Sequence, residues 1–141
     1  MGSESMRKPA LLAFAAMLGW ASAAASQSLI GNPNAPKPTP EGAEAAIRKH
    51  FEVKLFDGES ARIQMNPRII WGDIELAGDR YYGWWACGRV NAKNRYGAYV
   101  GYQPFLIGFD PYDPGKVKLS GVGGADMPTE SIDLLCRRMG L

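Results

Sequence analysis

Carboxylates come closest to chemistry in this 141-residue chain. Asp73 and Glu75 alternate within the β-rich stretch Arg68–Leu76 (RIIWGDIEL), so they share one face of a strand. Two carboxyl groups held together on one face are the equipment of acid/base glycoside hydrolysis. Carboxylates on a strand are nevertheless far more often plain solvated surface. Asp110 and Asp113 fall in a proline-rich turn and lack the alternating spacing of a calcium loop. His50 is the sole histidine. It flanks an apolar helical stripe between Ile47 and Val53, and no HExxH or GxSxG pattern accompanies it. Cys87 and Cys136 are the two cysteines, with no CxxC and a single histidine to help them bind a metal. The sequence thus assigns no catalytic residue, no metal and no cofactor, and predicts a protein that binds rather than catalyses.

Binding groups concentrate between Tyr81 and Tyr112, which hold ten aromatic residues. Alternation along Tyr81–Val90 puts Tyr82, Trp84, Ala86, Gly88 and Val90 on one face, and Tyr81, Trp85, Cys87, Arg89 and Asn91 on the other. Along Tyr96–Phe109, the residues Tyr99, Phe105, Ile107 and Phe109 share one parity, and Tyr96, Tyr102 and Leu106 the other. If one parity forms the core with Cys87, then Tyr82, Trp84, Tyr96 and Tyr102 stay partly exposed, as rings on which a sugar or a protein partner can rest. The competing expectation is that two amphipathic helices cover both faces. Asn91–Arg95 (NAKNR) reads as the polar tip between the two strands. Asn91, Lys93, Asn94 and Arg95 there form either a solvated hairpin loop or a set of donors for carboxylate or glycan oxygens. The expected binding site is therefore Tyr82, Trp84, Asn91, Lys93, Asn94, Arg95, Tyr96 and Tyr102.

These groups need a scaffold. A helix is predicted from Thr39-Pro40-Glu41, with threonine as cap and proline at the first turn, to Asp57-Gly58. Its apolar face is Ala43, Ile47, Phe51 and Leu55, widened by Ala46 and Val53. Strands follow at Ala61–Met65, Arg68–Leu76, Tyr81–Val90 and Tyr96–Phe109, with a short one at Lys116–Leu119. A closing helix spans Pro128–Met139 and points Cys136 inward with Ile132, Leu135 and Met139. The expected fold is α+β: an antiparallel sheet of three to four strands flanked by an N-terminal and a C-terminal helix, in one domain over residues 40–141. A Cys87–Cys136 disulfide would close a loop of about 50 residues, worth about 4 kcal/mol in the chain-entropy model.

Residues 1–25 read as a signal peptide. Met6-Arg7-Lys8 forms a basic flank, Pro9–Trp20 an apolar centre too short to span a bilayer, and Ala21–Ala25 a small-residue exit. A retained anchor helix is the less favoured alternative. Residues 26–39 (SQSLIGNPNAPKPT) read as an extended linker. The expected location is periplasmic or secreted, an oxidising setting that favours the disulfide. The net charge of +2 leaves no footprint for nucleic acid, and no stable membrane span remains after cleavage.

The string Cys87-Gly88-Arg89-Val90-Asn91-Ala92-Lys93-Asn94, continued by Gly97, Tyr99, Gly101 and Pro104-Phe105, has the form CGxVNxKNxxGxYxGxxPF. It resembles a motif of small exported bacterial proteins, many of them lipoprotein-like, and Leu55–Arg62 resembles the segment that precedes it in them. The resemblance covers Ala43 to Phe109 and implies export but no activity. The absence of a lipid-attachment cysteine after the cleavage region is a departure from it. The leading expectation is a non-enzymatic domain that contacts an envelope component or a protein partner through the aromatic hairpin. An inhibitor of a lysozyme-like hydrolase and a small carboxylate-dependent cell-wall hydrolase are the alternatives.

Overall fold

The computed structural model describes residues 29–141; the expected signal peptide and the first residues of the expected linker lie outside them. The elements in order are β1 (Leu29–Ile30), α1 (Pro40–Lys54), a 3-10 turn (Gly58–Ser60), β2 (Arg62–Met65), β3 (Ile70–Leu76), β4 (Asp79–Lys93), β5 (Tyr99–Phe109), β6 (Val117–Val122) and α2 (Thr129–Arg138). The class is α+β, but the sheet is larger than three to four strands. Five strands pair antiparallel, and two-residue β1 adds to β4 in parallel.

All of this is hung on β4, which is 15 residues long. Along one edge it takes β3 (Ile70↔Trp85 to Leu76↔Asp79) and then β2 (Met65↔Gly88 to Arg62↔Asn91). Along the other it takes β1 at Arg80–Tyr81 and then β5 from Trp85 to Lys93. The polar run Asn91–Lys93, expected as loop, is the paired end of this strand. Its ladder partners, rather than its composition, decide its state.

Alternation then builds two cores. Ala86, Val90, Phe105, Ile107, Phe109 and Val122 face α1, which buries Ala43, Ala46, Ile47 and Phe51 against them. Trp85, Cys87, Leu106 and Ile74 face α2, which contributes Ile132 and Cys136. Thr39 caps α1 as expected, its Oγ1 accepting from the Gly42 amide at 3.1 Å. Val53 does not widen the apolar face. It is 87% exposed, because six residues beyond Ile47 is roughly 240° around a helix.

Cys87 and Cys136 are disulfide-bonded, joining the middle of β4 to α2 across 49 residues of sequence. Among the described residues no helix is long and apolar enough to cross a membrane. Removal of the crosslink in a Cys87→Ala, Cys136→Ala double variant is expected to lower the unfolding free energy by about 4 kcal/mol. Urea unfolding of the oxidised wild type against the variant measures this.

Candidate binding surface

The residues expected to bind together are not together. Tyr82 and Trp84 lie near one end of β4, on the face toward α1. Lys93, Asn94, Arg95, Tyr96 and Tyr102 lie at the other end, roughly 30 Å away at about 3.3 Å per strand residue.

At the first end, Trp71 and Trp84 are cross-strand partners whose rings meet edge to face at 5.3 Å, and Tyr82 sits 6.1 Å from Trp71. The segment expected as a packing-free linker crosses this patch instead. The Trp84 Nε1–H donates to the Ala35 carbonyl at 2.9 Å, the Lys37 ammonium stands 5.3 Å from the Trp84 ring, Pro38 is buried, and Asn32 Nδ2 donates to the Pro111 carbonyl at 3.1 Å. Trp84 is thereby half-buried, and the ring left open is Trp71, 41% exposed. Trp71 alternates with Asp73 and Glu75 on one strand face, and the strap over Trp84 makes Trp71 the exposed member of the pair. Asp73 and Glu75 share that face on an open strand, and Asp73 is ion-paired to Arg80 at 3.2 Å.

At the second end, two side chains of the expected polar tip build the hairpin. Asn91 is buried (8% exposed), and its Oδ1 accepts from the Gly101 amide at 3.0 Å, where the β4–β5 register shifts. Gly101 has φ +100°, which a side chain rarely tolerates. Asn94 Oδ1 accepts from the amides of Tyr96 and Ala98 and so forms the turn.

The groups that remain outward are Lys93, Arg95, Tyr96 and Tyr102, and the fold adds Arg62, Arg89 and Tyr99 to them. Register fixes this: Arg62, Asn91 and Tyr102 form one rung across β2, β4 and β5, and Gln64, Arg89 and Pro104 the next. Residues of one rung point to the same side. Here that is the side of Cys87, beyond the reach of α2. Tyr99 donates its hydroxyl to the Ser60 carbonyl at 2.9 Å, and its ring carries the Arg62 guanidinium at 4.1 Å and the Lys93 ammonium at 5.4 Å. Among the described residues, Arg62, Arg89, Lys93 and Arg95 make no ion pair. A groove of about 450 Å³ beside α2, lined by Gln64, Arg89, Pro104 and Asp133 over the disulfide, opens onto this face. Arg62 and Arg89 were invisible as site residues because they join Lys93 and Tyr102 only through strand pairing.

A third cluster ties α1 to β6. The Lys54 ammonium donates to Ser120 Oγ at 2.9 Å and to Asp126 Oδ2 at 2.6 Å, and His50 Nε2 lies 2.8 Å from Ser120 Oγ. That is the spacing of a nucleophile and its base, but among the described residues nothing orients the other ring nitrogen as a triad requires. Burial and the neighbouring Lys54 charge push His50 below its ordinary 6.5, against the opposing pull of Asp126. Burial raises the Asp126 carboxyl, but the Lys54 hydrogen bond and the Val122 amide outweigh it and hold the group below 3.8.

The fold and surface define a small disulfide-linked α+β domain with a cationic, tyrosine-bearing hairpin end. Compared with known protein families, curated proteins and solved structures, the chain matches none of them.

Two outcomes follow from this geometry. Asn91→Ala removes a buried side chain and its hydrogen bond from the Gly101 amide and is expected to cost about 0.5–1.5 kcal/mol, whereas exposed Arg95→Ala changes stability less; denaturant melts compare them. Because the folded state disfavours the protonated His50, its contribution is complete above pH 6.5 and declines as pH falls below that value. Asp126 contributes above 3.8 and loses its share only as pH falls through that region. His50→Gln should flatten stability between neutral pH and about pH 5, measured by melting temperature against pH.

Proposed function

We propose that this is an exported, non-enzymatic binding domain that contacts an envelope component or a protein partner through the open end of the β4–β5 hairpin. The observation that carries the reading is the uncovered strand surface of Arg62, Arg89, Lys93 and Tyr102. Its cations have no ion pair within the described chain and are mounted on paired strands, with Arg62 further held on the Tyr99 ring. Fixed cations without partners lower the ordering cost of meeting an anionic or polar surface. The disulfide is compatible with a place outside the cytoplasm, and a periplasmic or secreted location is part of the proposal. At the opposite end of β4 the exposed Trp71 packs on Trp84 and Tyr82 beside a paired Asp73–Arg80, with no unpaired cation shown next to it among the described residues.

The test is retention of envelope extract by the immobilised disulfide-bonded domain. The double variant Arg62→Ala, Lys93→Ala should lose about tenfold in retained material, the change produced by roughly 1.4 kcal/mol, while Trp71→Ala retains it. Retention that depends on Trp71 and ignores the cations would place the contact at the opposite end of the sheet and defeat the proposal.

A further inference from the structure

Resting on that reading, we infer that the surface takes a carboxylate-bearing linear polysaccharide, a chain of acidic sugar rings laid along β4 from the hairpin tip toward the groove beside α2.

Tyr102 is the pivot. It is 38% exposed and opposes Asn91 in the ladder. Arg89 lies two residues from Asn91 on the same strand, so it is a diagonal neighbour of the Tyr102 ring, about 7–8 Å away between backbones. On the other side the β4–β5 register shifts, and Lys93 opposes Tyr99, whose ring it overlies together with Arg62. Two rings of one face thus each have a cation beside them. An acidic sugar carries its carboxylate on the ring itself, so one unit can rest on Tyr102 while its charge meets Arg89. A phosphodiester polymer places charge on flexible links between rings and does not match this pairing of ring and cation as closely. Arg62, braced by Tyr99, supplies a second guanidinium fork, a geometry suited to carboxylate.

A folded protein is the competing occupant, because tyrosine and arginine also anchor protein interfaces. The rungs Arg62–Asn91–Tyr102 and Gln64–Arg89–Pro104 carry no large aliphatic side chain beside them. Continuity favours an extended ligand: the groove lined by Gln64, Arg89 and Pro104 continues the same rung toward α2. Bordering acids are few. Asp57 and Glu59 at the 3-10 turn and Asp133 at the groove are among them, and none forms an ion pair with the cations among the described residues. The chain's other acids sit mainly on the outer side of α1, at the β3–β4 end and in the 110–113 turn, so a molecule of small net charge presents one basic end.

Titration calorimetry of the disulfide-bonded domain with hexagalacturonate, uncharged dextran and polyglutamate tests the inference. Hexagalacturonate should bind in a salt-sensitive way, dextran should not, and polyglutamate should bind more weakly. Arg89→Ala and Tyr102→Ala should each weaken hexagalacturonate binding by about tenfold, as expected for one charge-assisted contact or one stacked ring. Both replaced side chains are exposed, and circular dichroism checks that the variants fold. Equal binding of polyglutamate with no effect of Tyr102→Ala would show charge attraction or an acidic protein partner and overturn the inference. If hexagalacturonate does not bind while envelope retention still depends on Arg62 and Lys93, the polysaccharide is wrong and the binding surface stands. If neither occurs, both fail.

Discussion

One strand is asked to do four things at once. Strand β4 is paired along both edges and covered on both faces over its middle, from Trp85 to Cys87. A strand in that position cannot shift by one residue without exchanging Ala86 and Val90 for Trp85 and Cys87 between the two cores. The disulfide fixes the choice further, because Cys87 must face α2 to reach Cys136. Everything else follows from that register: which helix covers which face, which rings are left at the ends, and which cations share a rung.

The string from Cys87 to Phe105 is largely absorbed by this register. Cys87 carries the crosslink. Gly88 lets the Gln64 carbonyl and the Phe105 ring approach so closely that a Cβ would collide with both. Asn91 satisfies the amide of Gly101 at the register shift, Asn94 forms the turn, Tyr99 ties β5 to the 3-10 turn, and Phe105 packs edge to face on Phe51. Arg89, Lys93 and Arg95 are its charged side chains, and none makes an ion pair among the described residues. A string dense in glycine, asparagine and aromatic residues therefore reads here as instructions for one bent hairpin, which also carries Arg89, Lys93 and Tyr102 on one face, joined there by Arg62 of β2.

The two ends of β4 differ in what covers them. Near Tyr82 and Trp84, a segment without regular structure beyond β1 lies across the sheet and takes the indole N–H. Near Tyr102 the rung keeps Arg62 and Tyr102 exposed around a buried Asn91. The strap thus covers Trp84 at one end and leaves Trp71 open, while the other end presents its cations and Tyr102.

The sequence alone determined the class, the two helices, the parity along most of β4 and β5 and the cysteine pair. Those depend on local periodicity, on capping residues such as Thr39, and on there being only two thiols. The register shift between Asn91 and Lys93 turned Tyr99 to the face of Tyr102, against its expected alternation with Phe105. It could not determine the length of β4, because Asn91 and Lys93 look like loop until β2 and β5 pair with them. It read residues 29–39 as linker, since proline and asparagine give no periodic signal and their packing on Trp84 comes from tertiary contact. It also joined Tyr82 and Trp84 to Tyr102 in one site and omitted Arg62 and Arg89. Periodicity tells which face a side chain takes on its own strand, but neighbours across strands are set by register, and register exists only once the sheet has formed.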